Sequence, residues 1–381
     1  MQKTNVKTNV MPHTQAKLDL LAGYLEHYLR VLNLADSCKQ INLFDIYCGT
    51  GIYDDGKKGS PLLILECIRK IRAEKIGNKN IATPISLLVN DYDSQKIENV
   101  KKNANVQGIK NCTIEFYNKD ATEMFDILAD HLSKYPKDHK NLVFIDPYGY
   151  SDISKDKFTN LLSNKCTEII LFLPVMQMYR FAETAFRNED KPQYEALRNF
   201  TTSFGNIKTD TIFEYIHSIK EALSINHSYF TCSHYIEREK GSYYALFFIG
   251  SNIYGLEKML EAKWKLDPIK GKGFNQNKNS MQMSMFDGEF SKIDHLCQIS
   301  YLENVIYQSI KRNRIMTNVE LYELTLKNEF LPKHANKVLN DLIFQNKIRE
   351  ISNSNGYKIN YSSYRDKNIV SRFGVYENNK N

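Results

Sequence analysis

The sequence lacks the features that mark secreted, membrane-spanning and metal-binding proteins. Its 381 residues include seven cysteines, and none of these has C-x-x-C spacing to another or zinc-ligand spacing to a histidine. An odd number of scattered cysteines is typical of reduced thiols in a cytoplasmic protein. The first ten residues are polar, and no apolar run reaches the length that crosses a membrane. We therefore expect a cytoplasmic protein without a structural metal.

Several motifs of common enzymes are also missing. The chain has no Walker loop, no H-E-x-x-H and no Ser-His-Asp arrangement. A dinucleotide site needs G-x-G-x-x-G, but Gly49-Thr50-Gly51 is followed by Ile52-Tyr53-Asp54. The third glycine is absent, and an acid at that place would repel a pyrophosphate. The turn therefore argues against a nicotinamide or flavin cofactor.

Composition sets loose bounds on size and partners. A chain of 381 residues is long enough for two or three domains with a buried core. The formal net charge of +7 is mild, and it suits a partner with phosphates without requiring one. Tyrosine occurs 24 times and phenylalanine 20 times, against one tryptophan. These aromatic residues could stack on bases or simply fill a tyrosine-rich core.

Three apolar stretches each end in acidic residues. The first ends at Asp45 before the glycine turn, the second leads into Asn90-Asp91-Tyr92-Asp93, and the third ends at Asp146. Predicted strands alternate here with predicted helices, which indicates a parallel α/β sheet with right-handed crossovers. Ligands of such open sheets bind at the carboxyl ends of the strands. We expect the three acidic ends to lie at one edge.

The predicted sheet ends in an antiparallel hairpin. Residues 229–237 and 243–249 are strand-like and are separated by a short polar turn. Residues 176–226 interrupt the alternation before them with helical sequence. A sheet that ends in such a hairpin is typical of methyltransferases that use S-adenosylmethionine (SAM), whereas a dinucleotide dehydrogenase sheet continues in parallel. The remaining expected strands are 41–47, 85–90, 112–117, 141–146 and 167–174, and Thr14 and Ser60 are expected N-caps.

A second unit follows a segment of biased composition, which is rich in Gly, Lys, Asn, Gln and Met. We place a first domain at 1–267, a linker at 268–291, a compact unit at 292–360 and a frayed polar tail at 361–381. In the second unit, Thr317 is a candidate N-cap and Pro332 is expected to open a helix. Residues 348–351 and 357–359 are predicted to form a hairpin. Three helices and a hairpin are the pattern of a winged helix-turn-helix.

The strand ends suit SAM, which carries a sulfonium, an amino group, a carboxylate and a ribose diol but no phosphate. Asp45 is expected to meet the amino group, while Gly49 and Gly51 allow the backbone to approach the cofactor. A carboxylate after the second strand, Asp91 or Asp93, can accept both ribose hydroxyls. Asp120 is placed to meet the adenine amine. The alternative is a sheet with solvated strand ends and no ligand, since turns need glycine for conformational reasons alone.

The segment Asp146-Pro147-Tyr148-Gly149 is the candidate catalytic loop. Enzymes that methylate the amino groups of bases use [D/N/S]-P-P-[Y/F] at this place. The acid and a carbonyl there accept hydrogen bonds from the amine, and the aromatic ring stacks on a flipped base. This chain has one proline, and its aromatic residue comes one place early. An ordinary Asp-Pro turn is the alternative, because Gly149 permits a positive φ.

Basic residues of the second unit are candidates for nucleic-acid contact. Two lie on the predicted third helix, where a recognition helix would face a groove, and two flank the predicted wing. Winged helices also serve protein contacts, so both interpretations stay open. The four candidates are Lys333, Lys337, Lys347 and Arg349.

The order of several short motifs resembles the three-Cys-motif partner protein (TcmP) family of bacteria. These motifs are Pro12-His13-Thr14 with Lys17, the turn Asp45-x-Tyr47-Cys48-Gly49-Thr50-Gly51, Gly59-Ser60-Pro61, Phe144–Gly149 and Gly271-x-Gly273-Phe274. The resemblance covers about residues 11–275 and implies a class I, Rossmann-like methyltransferase fold that binds SAM. It also implies a partner protein with a three-cysteine motif. The family usually has Phe-Ala where this chain has Tyr47-Cys48, and Tyr47 is accordingly expected beside the cofactor.

The sequence thus predicts a SAM-dependent methyltransferase that acts on a nucleic acid base, in a mobile-element or phage-defence setting. Two rival interpretations stay open. One is a methyltransferase-shaped adaptor that binds a partner protein and DNA, and the other is methylation of a protein or small molecule. Neither interpretation needs a metal or a membrane.

Overall fold

A computed structural model describes residues 9–74, 83–188, 190–204, 209–239, 241–275, 287–352, 359–366 and 370–376. The chain forms two compact units. The first contains Met1–Lys258 and Gly273–Asn279, and the second contains Met259–Lys272 and Ser280–Asn381. The chain passes from one unit to the other inside helix α9 (Ile253–Leu266), ahead of the predicted boundary at residue 267.

The first unit is built from alternating strands and helices. Its helices are α1 (Pro12–Leu34), α2 (Ser60–Ala73), α3 (Ser94–Asn103), α4 (Ala121–Lys134), α5 (Lys155–Leu162), α6 (Val175–Arg187), α7 (Glu195–Ser203) and α8 (Ile212–Leu223). Its strands are β1 (Gln40–Asp45), β2 (Ile85–Asn90), β3 (Cys112–Tyr117), β4 (His139–Ile145), β5 (Thr167–Leu173), β6 (Phe230–Glu239), β7 (Ser242–Gly250) and β8 (Gly273–Asn275).

These strands form one sheet in the order β3-β2-β1-β4-β5-β7-β6-β8 within the described residues. The strands β1 to β5 are parallel, and β7 pairs antiparallel with both β5 and β6. The prediction of a mostly parallel α/β sheet with an antiparallel hairpin is confirmed, but β8 pairs with β6 on its outer side, so the hairpin is not the edge of the sheet. Because β1, β2 and β4 are neighbours and parallel, their carboxyl ends meet at one edge of the sheet.

The core explains why these stretches become central strands. Residues 41–45 of β1 are all buried, as are residues 141–145 of β4, because helices cover both faces of the sheet. The predicted insertion is the helical segment α6 to α8. Its apolar residues, including Phe200 and Ile219, are buried in the same core cluster as Val143 and Leu171 of the sheet.

Two helices begin elsewhere than predicted. Helix α1 begins at Pro12 with Met11 as its N-cap, so Thr14 lies inside the first turn. Helix α2 begins at Ser60 with Gly59 as its N-cap. In both cases a proline occupies the first helical turn, where its missing N–H and fixed φ favour helix initiation without a side-chain cap.

A predicted linker contributes a strand. Residues 273–275 form β8, which pairs in parallel with β6 at residues Tyr235–Glu237. Gly273 is required there, because a Cβ atom on it would lie 2.4 Å from the ring of Tyr235. The glycine-rich composition therefore reflects close packing as well as turns. The later part of the predicted linker, residues 276–286, lies outside the described residues.

The buried environment of Glu168 can be tested through the pH dependence of stability. Glu168 accepts a hydrogen bond from the Tyr24 hydroxyl, and burial raises its pKa to about 7. The folded protein therefore keeps a proton on Glu168 to higher pH than the unfolded chain does, and stability falls as the pH rises from about 4.5 through 7. Because the side chain keeps some exposure, we expect an effect on the order of 1–2 kcal/mol.

We predict that Glu168→Gln removes this pH dependence. The difference in unfolding free energy between the variant and the native protein should grow in favour of the variant between about pH 5 and pH 8. Asp45 also titrates in this range, but it is present in both proteins and cancels in the difference. Denaturant unfolding at several pH values measures the effect. A difference that is independent of pH would contradict it.

Among the described residues, the second unit contains three long helices after α9 and a small sheet. The helices are Asp287–Asn313, Asn318–Lys327 and Pro332–Phe344. The strands β9 (Ile315–Thr317), β10 (Ile348–Ser352) and β11 (Arg372–Val375) form an antiparallel sheet in the order β10-β11-β9. Thr317 caps its helix as predicted, in a reciprocal pair with Glu320, and Pro332 opens the third helix.

Strand β10 pairs with β11. The predicted hairpin of residues 348–351 and 357–359 falls largely outside the described part of the chain, because residues 353–358 are not among the described residues. Ile359 donates its N–H to the Asn336 side chain at 2.9 Å. The predicted frayed tail instead contains the helix Tyr361–Arg365 and β11. Phe373 of β11 is fully buried, which anchors an otherwise polar segment.

Candidate active site

The turn after β1 is shaped by two glycines with positive φ. Gly49 has a φ of 63° and Gly51 a φ of 77°, which residues with a side chain rarely adopt. An added Cβ atom on Gly49 would meet nothing within 4 Å, so space is open beside it. On Gly51 it would lie 2.9 Å from Val100 of α3. Gly49 thus leaves room for a ligand, whereas Gly51 permits close packing of the helix.

Asp45 is the most unusual group at this edge. It is fully buried, and neither carboxylate oxygen meets a donor at hydrogen-bonding geometry among the described residues. Burial raises its pKa to about 7, against the opposing effects of the Ser60 hydroxyl and the Lys17 ammonium. A buried carboxylate whose oxygens lack hydrogen bonds at good geometry is costly for a protein. The nearby Ser60 and Lys17 leave both oxygens without such a bond, so the carboxylate fits an additional cationic group from a ligand.

Asp91 is used by the protein to hold the turn. It is 2% exposed, and its carboxylate accepts the N–H of Gly49 and the N–H of Asp93, both at 3.0 Å. Lys96 lies 3.5 Å from the same carboxylate. Of the two predicted ribose acceptors, Asp91 is therefore occupied by internal contacts, and Asp93 is the exposed one.

Asp93 and Asp120 have a second role as helix caps. Asp93 caps α3 by accepting the N–H of Gln95 at 2.9 Å, and Asp120 caps α4 by accepting the N–H of Thr122 at 2.8 Å. Each cap uses one carboxylate oxygen, and both residues are exposed. Both residues follow the ends of strands, at the carboxyl edge of the sheet.

The sequence did not single out Asn90, which ties three strand ends together. Its side-chain amide donates to the carbonyls of Ile46 and Lys119, each at 3.1 Å, and its oxygen accepts the N–H of Lys119 at 3.0 Å. A buried amide after an apolar strand is the signal that could have identified it. It fixes the loops after β1, β2 and β3 relative to one another.

Asp146 and Tyr148 both contact lysines. Asp146 forms an ion pair with Lys17 of α1, and the Tyr148 hydroxyl is hydrogen-bonded to Lys96. The Tyr148 ring also lies 4.5 Å from the Lys96 ammonium and remains 74% exposed. Pro147 is buried between them. The predicted catalytic loop thus lies beside the Asp91 loop, since Lys96 contacts both.

Tyr47 and Cys48 complete the turn. The Tyr47 hydroxyl donates to Asp152 at 3.2 Å, and burial raises the pKa of this phenol. Cys48 is buried, and burial raises the pKa of its thiol as well. Both side chains are neutral at physiological pH. They contribute shape and packing to the turn rather than charge.

Helix α1 reaches the same edge through its first two turns. His13 stacks on Tyr244 of β7, with centroids 5.7 Å apart and an interplanar angle of 11°. Tyr244 stacks in turn on Phe172 of β5 at 5.3 Å. The sequence left the role of His13 and Lys17 undecided between an ordinary helix and a site. Their contacts lie more than 120 residues away in the chain, so no local pattern could have settled it.

The candidate nucleic-acid residues of the second unit are all exposed. Lys333 and Lys337 lie on the helix Pro332–Phe344, Lys347 follows that helix, and Arg349 belongs to β10. Lys347 forms an ion pair with Glu303 at 3.0 Å, which sequence reasoning missed. The structure therefore gathers these four residues in one unit at or near one helix.

The described residues contain no group of three or more His, Cys, Asp or Glu side chains placed to hold a metal ion. Among these residues, no helix is both long enough and apolar enough to cross a membrane.

Comparison with known proteins finds solved structures that resemble part of this chain. No protein-family model and no curated protein sequence matches the chain. WbdD, described as a bifunctional kinase-methyltransferase, is 12% identical over 62% of this chain, with a TM-score of 0.34. The chain spans 40% of the length of that protein.

Two other solved structures cover a similar share of the chain. A SAM-dependent methyltransferase from Agrobacterium tumefaciens is 10% identical over 64% of this chain and 63% of its own, with a TM-score of 0.35. An O-methyltransferase from Bacillus cereus, solved in complex with SAH, is 11% identical over 64% and 84%, with a TM-score of 0.32. At these identities the site has to be judged from its own geometry.

Proposed function

We propose that this protein is a SAM-dependent methyltransferase that modifies a nucleic acid base. The observation that carries the proposal is the fully buried Asp45, without a donor among the described residues, near the open space at Gly49. Both lie at the carboxyl edge of a mostly parallel sheet that includes an antiparallel hairpin next to β5. This is the edge where α/β sheets bind ligands, and the hairpin is typical of methyltransferases.

The residues present fit SAM. Asp45 would accept from its amino group, Gly49 would leave room for its backbone, and Asp93 would accept from the ribose hydroxyls. Asp120 and Tyr47 would lie beside the adenine end. The bound cofactor supplies an electrophilic methyl group, and the role of the protein is to bind it and to align the acceptor.

The acceptor would meet the loop after β4. The Asp146 carboxylate would accept a hydrogen bond from an exocyclic amine, and the exposed Tyr148 ring would stack on the base. Exposed aromatic rings are suited to bases that are unpaired or flipped out of a duplex. Pro147 shapes the loop, and the single proline leaves the identity of the base open in this proposal.

The second unit would contact nucleic acid. We propose that it is a winged helix-turn-helix, with Lys333, Lys337, Lys347 and Arg349 near the phosphates. Lysine and arginine contacts to phosphate make binding fall steeply with salt. Membership in the TcmP family, a three-cysteine-motif partner protein and a role in mobile elements or phage defence belong to the same proposal.

The proposal is tested by transfer of a labelled methyl group from SAM. The full chain is incubated with single-stranded and duplex DNA, with RNA and with a protein extract. Label in nucleic acid supports the proposal, and digestion to nucleosides then identifies the base. Label that appears in protein alone would contradict the nucleic acid part and favour the rival methylation of a protein.

We predict that SAM binds more weakly at low pH. Asp45 has a pKa of about 7 and must be ionised to pair with the cofactor amine, so affinity should fall about tenfold per pH unit below 7. The pKa of Asp45 also depends on the charges of Asp146, Lys17 and Asp91. These three residues are present in both the native protein and the Asp45→Asn variant. Calorimetry between about pH 5.5 and pH 7.5 measures this. Asp45→Asn should bind with little dependence on pH, and an equal dependence in both proteins would contradict the prediction.

A second candidate function is a methyltransferase-shaped adaptor for a partner protein and DNA. The observation in its favour is that Asp146 and Tyr148 already contact Lys17 and Lys96. An adaptor would keep its biological activity in Asp146→Ala and lose it when the second unit is deleted. A methyltransferase would lose activity in both cases.

A further inference from the structure

Lys17 is a charged side chain in a costly position. It lies in the second turn of α1 and is 8% exposed. Its ammonium pairs with Asp146 and lies 4.8 Å from the centroid of the Phe172 ring. Burial of an ammonium costs several kcal/mol, and replacing a buried ion pair by apolar side chains is often neutral or stabilising. Stabilisation of the fold is therefore a poor explanation for this pair.

Lys17 binds only one of the two carboxylate oxygens of Asp146. The contact is made to Oδ2, and Oδ1 accepts no hydrogen bond from the described residues. The Asp146 side chain is 23% exposed, so it is not sealed from solvent. One oxygen is thus held by the protein while the other remains available to a donor from outside it.

The charges around Asp146 explain why it needs a cation. Asp45 at the end of β1 acts on it as a like charge, and the phenols of Tyr47, Tyr53 and Tyr148 lie nearby. Lys17 offsets the repulsion between the two carboxylates. Burial disfavours the ammonium, but the combined effects of the ion pair and hydrogen bond with Asp146 and of the nearby Tyr53 and Asp45 outweigh it and raise the pKa of Lys17. The lysine is therefore charged at physiological pH.

The position of Lys17 is fixed by rigid elements. The stack of His13, Tyr244 and Phe172 attaches the first turn of α1 to β7 and β5. The interplanar angles of 11° and 5° show nearly parallel rings. An ammonium carried on a helix that is held in this way can orient a carboxylate better than one on a loop.

We propose that Lys17 is a positioning residue, which holds one oxygen of Asp146 so that the other is aimed at the hydrogen-bond donor of the methyl acceptor. Lys17 acts through Asp146 and touches neither the acceptor nor the cofactor. The inference rests on the proposed function, because it assigns Asp146 to the acceptor.

A double-mutant cycle tests the inference. Lys17→Met should lower the turnover of methyl transfer about 100-fold and leave SAM affinity within about threefold. Lys17→Arg should restore most of the rate, because it returns a cation to Asp146. In the Asp146→Asn background, Lys17→Met should cost almost nothing further. Equal losses in both backgrounds would overturn the proposal, since a merely structural lysine would behave in that way.

A readout that does not depend on activity separates this inference from the proposed function. In a crystal structure of Lys17→Met without ligands, the Asp146 carboxylate should leave its native rotamer or occupy several. Arg30→Met is the matched control, because Arg30 anchors the other end of α1 through a pair with Glu74 at 2.7 Å. That control should leave both Asp146 and turnover unchanged.

The two readouts distinguish a failure of the proposed function from a failure of this inference. If Asp146 moves in Lys17→Met but the native protein methylates no nucleic acid, the proposed function fails and the positioning of Asp146 stands. If the native protein is active and Asp146 does not move in Lys17→Met, the inference is overturned and the proposed function stands.

Discussion

Asp146→Asn is expected to lower methyl transfer about 100-fold or more, while SAM affinity stays within about threefold of the native value. The reason is that Asp146 is assigned to the acceptor and not to the cofactor. Asparagine keeps an oxygen for Lys17, so the local shape is retained. The amide nitrogen that then takes the place of the second oxygen is a donor, so it cannot accept a hydrogen bond from the amine that must be aligned with the methyl group. Label incorporation under single-turnover conditions, together with calorimetry, separates the two effects.

Asp130→Asn is a control for that experiment. Asp130 forms an exposed pair with Lys134 on α4 at 2.6 Å, so its substitution removes the same charge away from the site. We expect both rate and affinity to stay native in this variant. The account would be wrong about Asp146 if Asp146→Asn transferred methyl groups at the native rate, or if it lost SAM binding and rate together.

A large loss of stability is also expected when the buried ion pair of Lys263 and Glu329 is broken. Lys263 is fully buried in the second unit and pairs with Glu329, while the Trp264 indole donates to the Glu329 carbonyl at 2.9 Å. Glu329→Ala leaves the Lys263 ammonium buried without this partner. We expect a loss on the order of 3–5 kcal/mol in the unfolding free energy of this unit, because an uncompensated buried charge is strongly destabilising.

Glu303→Ala is the matched control for Glu329→Ala. It also removes a carboxylate from a lysine, but Lys347 and Glu303 are 45% and 29% exposed. Such a pair contributes about 0–1 kcal/mol, so the variant should unfold almost as the native protein does. Denaturant unfolding of the full chain measures both variants. If both variants lost the same unfolding free energy, burial of Lys263 would not increase the cost of removing its partner.

Much of the fold could be predicted because its signals are local. Strands such as β5 contain continuous apolar runs, as at residues 169–173, and the antiparallel strands 230–239 and 242–250 are separated by a short turn with Gly241. The position of Asp45, Asp91 and Asp146 at strand ends follows from the same runs. Parallel pairing then brings these ends together without any further information.

The remaining features depend on contacts that are distant in sequence. The pair of Lys17 with Asp146 joins residues 129 positions apart, and no local pattern reports it. The choice between Asp91 and Asp93 depended on which carboxylate accepts the Gly49 N–H. Strand β11 was missed because it is short and Phe373 is its one fully buried apolar side chain, and β8 was missed because its glycine resembled a linker.

The most direct test of the account is calorimetric titration of the full chain with SAM at about pH 7.5, for the native protein and for Asp45→Ala. We predict one site per chain in the native protein. We also predict an affinity about 10- to 100-fold weaker in the variant, because a charge-assisted hydrogen bond to the cofactor amine is lost. No binding by the native protein, or equal binding by both proteins, would contradict the assignment of this edge of the sheet as a SAM site.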